Sequence, residues 1–129
     1  MANGKPLLKD KDKKKKETLW TSKKADTIFS IWIRQRDKKC FFCNNEGKQN
    51  SHFWGRGNSS TRYRPENCDG ICGGCHMRHE GNKQGLYRDL KIKQLGIEGY
   101  RALEKLARSS VKRSKAIEEL MGFMSEQQV

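Results

Sequence analysis

No stretch of the sequence approaches the roughly 20 consecutive apolar residues that span a bilayer, and no membrane partner is expected. The N-terminus, MANGKPLLKD, lacks the apolar run of a secretory signal, so a cytoplasmic setting is expected. Apolar residues are scarce throughout, at 33% of the chain with a mean hydropathy of −1.01. Such a chain buries a small core, and small cores are commonly stapled by a metal or by disulfides. Acids are also few: 15 Asp and Glu face 28 Lys and Arg, a net charge of +13 with a pI near 9.8. That excess points to a polyanion, because Lys and Arg neutralise phosphates and release counterions. An anionic membrane surface fits less well, since no basic amphipathic helix with aromatic anchors is evident. The 129 residues leave room for one domain plus tails.

Five cysteines are present, and four of them form two pairs, Cys40-Phe-Phe-Cys43 and Cys72-Gly-Gly-Cys75. Two C-x-x-C turns 28 residues apart are a strong signal for tetrahedral zinc, each turn supplying two thiolates. In a cytosolic chain the pairs read as metal ligands rather than disulfides. Cys68, the odd cysteine, has a less regular spacing and reads as a free, half-buried thiol.

Residues 1–24 hold nine Lys against three acids, including Lys13, Lys14, Lys15 and Lys16, and read as a flexible basic arm. A helix is expected over 25–36, with Asp26 capping its start and Ile28, Ile31 and Trp32 on its buried face. A strand within 48–54 ends near His52. A Gly/Ser/Arg loop follows over 55–65, then a short strand over 67–71 and a helix from Cys75. Gly81 and Gly85 suggest a break near 81–85. Two further helices, over 97–109 and 111–124, carry the apolar stripes Tyr100, Leu103, Leu106 and Ile117, Leu120, Met121, Met124. These stripes suit either core packing or a homodimer surface.

All three histidines, His52, His76 and His79, lie within or beside the cysteine frame. Each has a plainer reading: a packed core ring, a spare zinc ligand or a phosphate contact. Asn67 could simply form an Asx turn. Arg56, Arg62 and Arg64 read as phosphate contacts. Trp54 and Tyr63 could stack on bases or pack the loop.

The order Cys-x2-Cys, His, Asn, Cys-x2-Cys and a closing His pair resembles the HNH family of ββα-metal nucleases. The segment is closer still to the phage NinG/Rap recombination endonucleases. The likeness runs through Ser51-His52-Phe53, Arg56-Gly57-Asn58, Thr61-Arg62-Tyr63, Pro65-Glu66-Asn67, Cys72-Gly73-Gly74-Cys75, Gly81-Asn82 and Tyr87-Arg88 with Leu90. It covers about residues 38–107.

The resemblance implies an α+β fold: a zinc-stapled ββα-metal, treble-clef-like core with flanking N- and C-terminal helices. The arm would occupy 1–24, the nuclease domain 25–109 and a C-terminal helix 110–129. The implied activity is a metal-dependent DNA endonuclease, structure-selective on branched recombination intermediates such as Holliday junctions. His52 would be the general base and Asn67 the residue orienting it. His76 and His79 would hold a catalytic divalent ion, Mg2+ or Mn2+, with Zn2+ or Ni2+ possible, alongside the structural Zn2+. DNA would meet Arg56, Arg62, Arg64 and Lys13 to Lys16. A phage or prophage origin in a bacterial host is implied by the same likeness. The sequence departs from the family at Ser51, where many relatives place an Asp ligand, and at His76, where NinG-like chains tend to have Asn. Asp69 and Glu80 are the nearest replacement carboxylates in sequence. Three alternatives stay open: an HNH nicking enzyme on duplex DNA, a non-catalytic zinc module binding DNA or RNA, and a ribosome-associated or transcriptional zinc protein.

Overall fold

A computed structural model describes residues 18–79 and 85–127 of the chain. Lys13 to Lys16, Glu80 and most of the expected break at 81–85 lie outside the described residues.

Helix α1, Ser22–Arg36, begins three residues earlier than the apolar pattern suggested. Its cap is Thr21, whose side chain accepts from the Lys24 N–H at 3.1 Å. Asp26 is therefore not the cap; it sits inside the helix and faces a distant loop. The buried stripe is Ala25, Phe29 and Ile33, spaced i, i+4, i+8, rather than the expected Ile28, Ile31 and Trp32. Ile31 is 42% exposed. At the helix end Arg36 donates to the carbonyls of Pro65 (2.9 Å) and Cys68 (2.6 Å), and Asp37 accepts from the Gly70 N–H (2.9 Å). A Cβ on Gly70 would meet Asp37 at 2.7 Å, so this junction needs glycine.

The sheet has two antiparallel strands, β1 (Gln49–His52) and β2 (Cys68–Ile71), with Ser51 opposite Asp69 and His52 opposite Cys68. The two-residue period of a strand puts Gln49 and Ser51 on one face and Asn50 and His52 on the other. A 3-10 turn, Pro65–Asn67, delivers the chain into β2. Cys72 follows β2 directly, and helix α2, Gly73–His79, carries Cys75.

Helix α3 spans Leu86–Ala107 but is broken at Gly96, whose φ of 76° lies outside any helical region. Helix α4, Arg113–Gln127, closes the fold. Among the described residues these make a small α+β fold with a two-stranded sheet and four helices.

The sheet separates two small cores. One joins Ala25, Phe29 and Ile33 of α1 to Tyr63, Cys68 and the Ala116, Ile117 and Leu120 face of α4. The other joins Cys40, Phe53, Ile71 and Cys75 to Tyr87 and Tyr100 of α3. The C-terminal stripes are largely covered within the chain: Tyr100, Leu103, Ile117 and Leu120 are buried, whereas Leu106, Met121 and Met124 are half-buried. Among the described residues, no helix is long and apolar enough to cross a membrane.

Candidate functional site

The two C-x-x-C turns converge. The Sγ atoms of Cys40, Cys43, Cys72 and Cys75 all lie within 4.8 Å of one another. Cys43 is 3.8 Å from both Cys72 and Cys75. A tetrahedron with Zn–S bonds of about 2.3 Å has edges of about 3.8 Å, which the two Cys43 distances match. Local hydrogen bonds build this arrangement. Cys40 N–H donates to the Asn45 carbonyl (2.7 Å) to tighten the first turn, and Phe41 N–H donates to the Gly70 carbonyl (2.9 Å) to dock it on β2. Phe42 N–H reaches Cys40 Sγ, and the Arg78 guanidinium reaches Cys75 Sγ, both at 3.4 Å. The Cys75 N–H eases deprotonation of Cys72, whereas burial and then the neighbouring thiols push Cys75 up. Four thiolates cannot share this space unaided; a divalent cation relieves the conflict. The four side chains could hold a structural metal ion such as zinc. All five cysteines are unbridged. Cys68 stands apart from the cluster and is fully buried rather than half-buried, because the α1/α4 core closes over it.

His52 ends β1 on the face turned toward α1. Its neighbours are Arg62, Arg56 and Asp26. Burial, then the Arg56 charge, pushes the imidazole down to about 4, against the smaller opposing pull of the Arg62 backbone and Asp26. The ring is therefore neutral at pH 7, with its pKa further from neutrality than an unperturbed histidine's. Asp26 binds Arg62 through both carboxylate oxygens, at 3.0 and 2.6 Å, and lies 3.8 Å from Arg56. Burial acts to raise the Asp26 carboxyl, but its hydrogen bond with Arg62 leads the forces that hold it below its usual range.

Asn67 is fully buried directly behind this strand end. Its carbonyl accepts from the Phe53 N–H (2.8 Å). Its side-chain oxygen accepts from the Trp54 N–H (2.9 Å) and its amide donates to the Trp54 carbonyl (3.1 Å). The side chain thus acts as an extra peptide group, prolonging the ladder past His52. This is more than an Asx turn: the side chain ties down the start of the following loop.

His76 and His79 lie in different surroundings. His76 Nδ1 donates to Gln49 Oε1 at 2.6 Å. His79 stacks on Phe42 with ring centroids 4.1 Å apart, and its buried Nδ1 has no hydrogen-bond partner among the described residues. Among those residues, the four cysteines are the one group of three or more His, Cys, Asp or Glu side chains close enough to share a metal ion. Ser51, at the family's ligand position, is buried and receives the Tyr87 hydroxyl at 3.2 Å. Asp69 is wholly enclosed too. It forms an ion pair with Lys91 at 2.9 Å and accepts from Tyr87 at 2.8 Å and Gln94 at 3.3 Å. Neither residue offers an open oxygen to a cation. The donors His76 and His79 alone do not assemble a second metal centre among the described residues.

The three loop arginines differ sharply. Arg62 is 15% exposed and engaged with Asp26. Arg64 pairs with Glu66 at 3.2 Å. Arg56 is 64% exposed, held among the described residues by the long contact to Asp26, and is the loop arginine best placed to meet an anion. Trp54 and Tyr63 lie against the two cores.

Sequence reasoning missed the Asp69–Lys91–Tyr87–Ser51 network and the Asp26–Arg62 clamp. Lys91 gave one signal: it lies four residues after Tyr87, on the same helix face. No family model matches the chain, and the searches of curated proteins and of solved structures likewise find no match.

Proposed function

We propose that this protein is an HNH-type DNA endonuclease acting on branched recombination intermediates such as Holliday junctions. The observation that carries the reading is His52. A neutral imidazole ends a short strand, the Asn67 side chain locks the strand's exit, and an exposed arginine stands beside the ring. A general base must be unprotonated and fixed in direction. Burial meets the first need and the Asn67 clamp helps meet the second. The preference for branched DNA rests on the resemblance to the NinG/Rap nucleases.

In this reading Arg56 draws a phosphate to the site. The approaching anion offsets the Arg56 charge and raises the proton affinity of His52 as it is needed. His52 accepts a proton from water while the water oxygen attacks phosphorus. The bond from phosphorus to the 3′ oxygen breaks and solvent returns a proton to that oxygen, leaving a 5′-phosphate and a 3′-hydroxyl. The resemblance would have His76 and His79 hold a divalent ion, but His76 bonds Gln49 on the strand face opposite His52 and His79 stacks on Phe42, so no step is routed through such an ion. The thiolate cluster has a different job: it is closed, and it staples the first cysteine turn to α2.

A second reading is a zinc module that binds DNA or RNA without cutting it. The lack of a second three-ligand cluster among the described residues favours it. Incubating a labelled four-way junction and a matched linear duplex with the zinc-loaded protein in Mg2+, Mn2+ or no added metal separates the two. The nuclease reading expects metal-dependent cutting of the junction, lost in His52→Ala with zinc and binding retained. Cutting of both substrates keeps the nuclease and removes the preference for junctions. Tight binding without cutting in any metal leaves the binding module.

A further inference from the structure

We propose that the pocket between α4 and the loop that leads into β2 takes one unstacked guanine base of a nucleic-acid strand, with Glu119 reading the base's hydrogen-bonding edge. The proposal rests on the nucleic-acid partner that both readings above share, and not on cleavage.

The pocket holds about 260 Å3. Drug-sized ligands occupy pockets of about 300–1,000 Å3, so this one suits a single ring system rather than a length of chain. Its walls are apolar: Tyr63 and Pro65 on the loop side, Leu120 and Phe123 on α4. Tyr63 and Leu120 are buried in the core shared with α1, which fixes two of the walls. Phe123 is half-buried and braced edge-on against Trp32, with ring centroids 5.1 Å apart. Unpaired bases are held by proteins through such contacts with aromatic side chains.

The polar lining decides which base. Two carboxylates, Glu66 and Glu119, stand at this one pocket although the chain carries a net charge of +13. They repel a phosphate and accept from N–H groups. Glu66 pairs with Arg64 at 3.2 Å; the pair is partly exposed and correspondingly weak, so a phosphate can share the guanidinium. Glu119 is exposed and makes no hydrogen bond or ion pair among the described residues. An ionised carboxylate only accepts, through two oxygens side by side. Guanine alone among the bases offers two adjacent N–H donors, N1–H and the 2-amino group, on its Watson–Crick edge. Adenine and cytosine each turn a ring-nitrogen lone pair toward the same carboxylate, and thymine flanks its single N–H with carbonyls. Pairing hides that edge in a duplex, so the pocket selects unpaired positions. A cationic peptide side chain would also satisfy Glu119, but it would set a second positive charge against Arg64, whereas a nucleotide brings Arg64 a phosphate.

The test uses zinc-loaded full-length protein without added divalent ion. The probes are labelled short thymidine oligonucleotides with one central guanine, adenine or hypoxanthine, the last lacking the 2-amino group. The guanine strand should bind about 10- to 100-fold more tightly than the adenine strand, with hypoxanthine between them. The Phe123 ring protons should shift as the guanine strand is added. In Glu119→Ala, a change well tolerated on an exposed helix face, the three affinities should converge while the contacts to phosphate persist. Equal affinities for guanine and adenine in the wild type overturn the proposal. So does a guanine preference that survives in E119A, or one that leaves Phe123 unmoved. If N-acetyl-arginine amide shifts Phe123 and no oligonucleotide does, the pocket is a peptide site and the proposal falls. Binding of all three strands without preference removes the guanine pocket alone; no binding to any strand removes the nucleic-acid reading with it. A protein that reads guanine but cuts no junction loses the nuclease reading and keeps the pocket.

Discussion

At the level of single residues, His52 links the site to stability. Burial first, and Arg56 second, push its ring down to about 4, whereas in the unfolded chain it titrates near 6.5. Between those values the unfolded chain binds a proton that the folded one refuses. This contribution is therefore complete above pH 6.5 and is lost as the pH falls toward 4, amounting to about 3 kcal/mol across the window. His52→Gln cannot titrate and should lose less stability than the wild type when urea midpoints near neutrality are compared with those at about pH 5. Equal acid losses in the two proteins would contradict this account. The buried Asp69–Lys91 pair makes a different demand. Lys91→Met strands a carboxylate with no solvent and no cation, at a cost of about 3–5 kcal/mol. Adding Asp69→Asn should recover most of that loss in urea unfolding, because the amide oxygen still accepts from Tyr87. A double variant as unstable as the single one would show that the pair itself, rather than a stranded charge, carries the stability.

At the level of elements, the break in α3 is set by one residue. Gly96 has φ 76° and ψ 161°, a conformation open essentially to glycine alone. Gly96→Ala should cost about 1–3 kcal/mol in thermal unfolding despite empty space around the added methyl. An unchanged melting temperature would mean that the helix can straighten through 96 at no cost. The strands, the cysteine turns and the two C-terminal stripes were legible in the sequence, because each rests on local spacing. Helix α1 was legible in existence but not in detail. Its first turn, Ser22 to Lys24, carries no apolar periodicity, so Thr21 was passed over and Asp26 was taken for the cap. What Asp26 does depends on Arg62, 36 residues away. Lys91 and Asp69 have no local signature either, since a lysine on a helix is ordinarily solvated. The packing of α4 against α1 was equally hidden, because an apolar stripe does not name its partner.

At the level of the whole molecule, two small cores on either side of a two-stranded sheet cannot bury much apolar surface. The cysteine cluster ties the first cysteine turn, the end of β2 and α2 together. Metal binding should then be folding free energy. Removing zinc with a chelator should collapse the amide dispersion and far-UV signal together, and Cys75→Ser should bind less than one zinc per chain and melt far earlier. A chelated protein that keeps its native spectrum would make the cluster dispensable to the fold.

The Asn67 clamp has a consequence for the way the sheet breathes. Strand ends ordinarily fray, and their amides trade hydrogen for deuterium within moments. Here the ladder continues past β1 through a side chain that cannot peel away without uncovering a buried amide. His52 therefore lies in the interior of a bonded ladder although it is the last residue of its strand, and the Trp54 amide belongs with the slow-exchanging heart of the protein rather than with its loops.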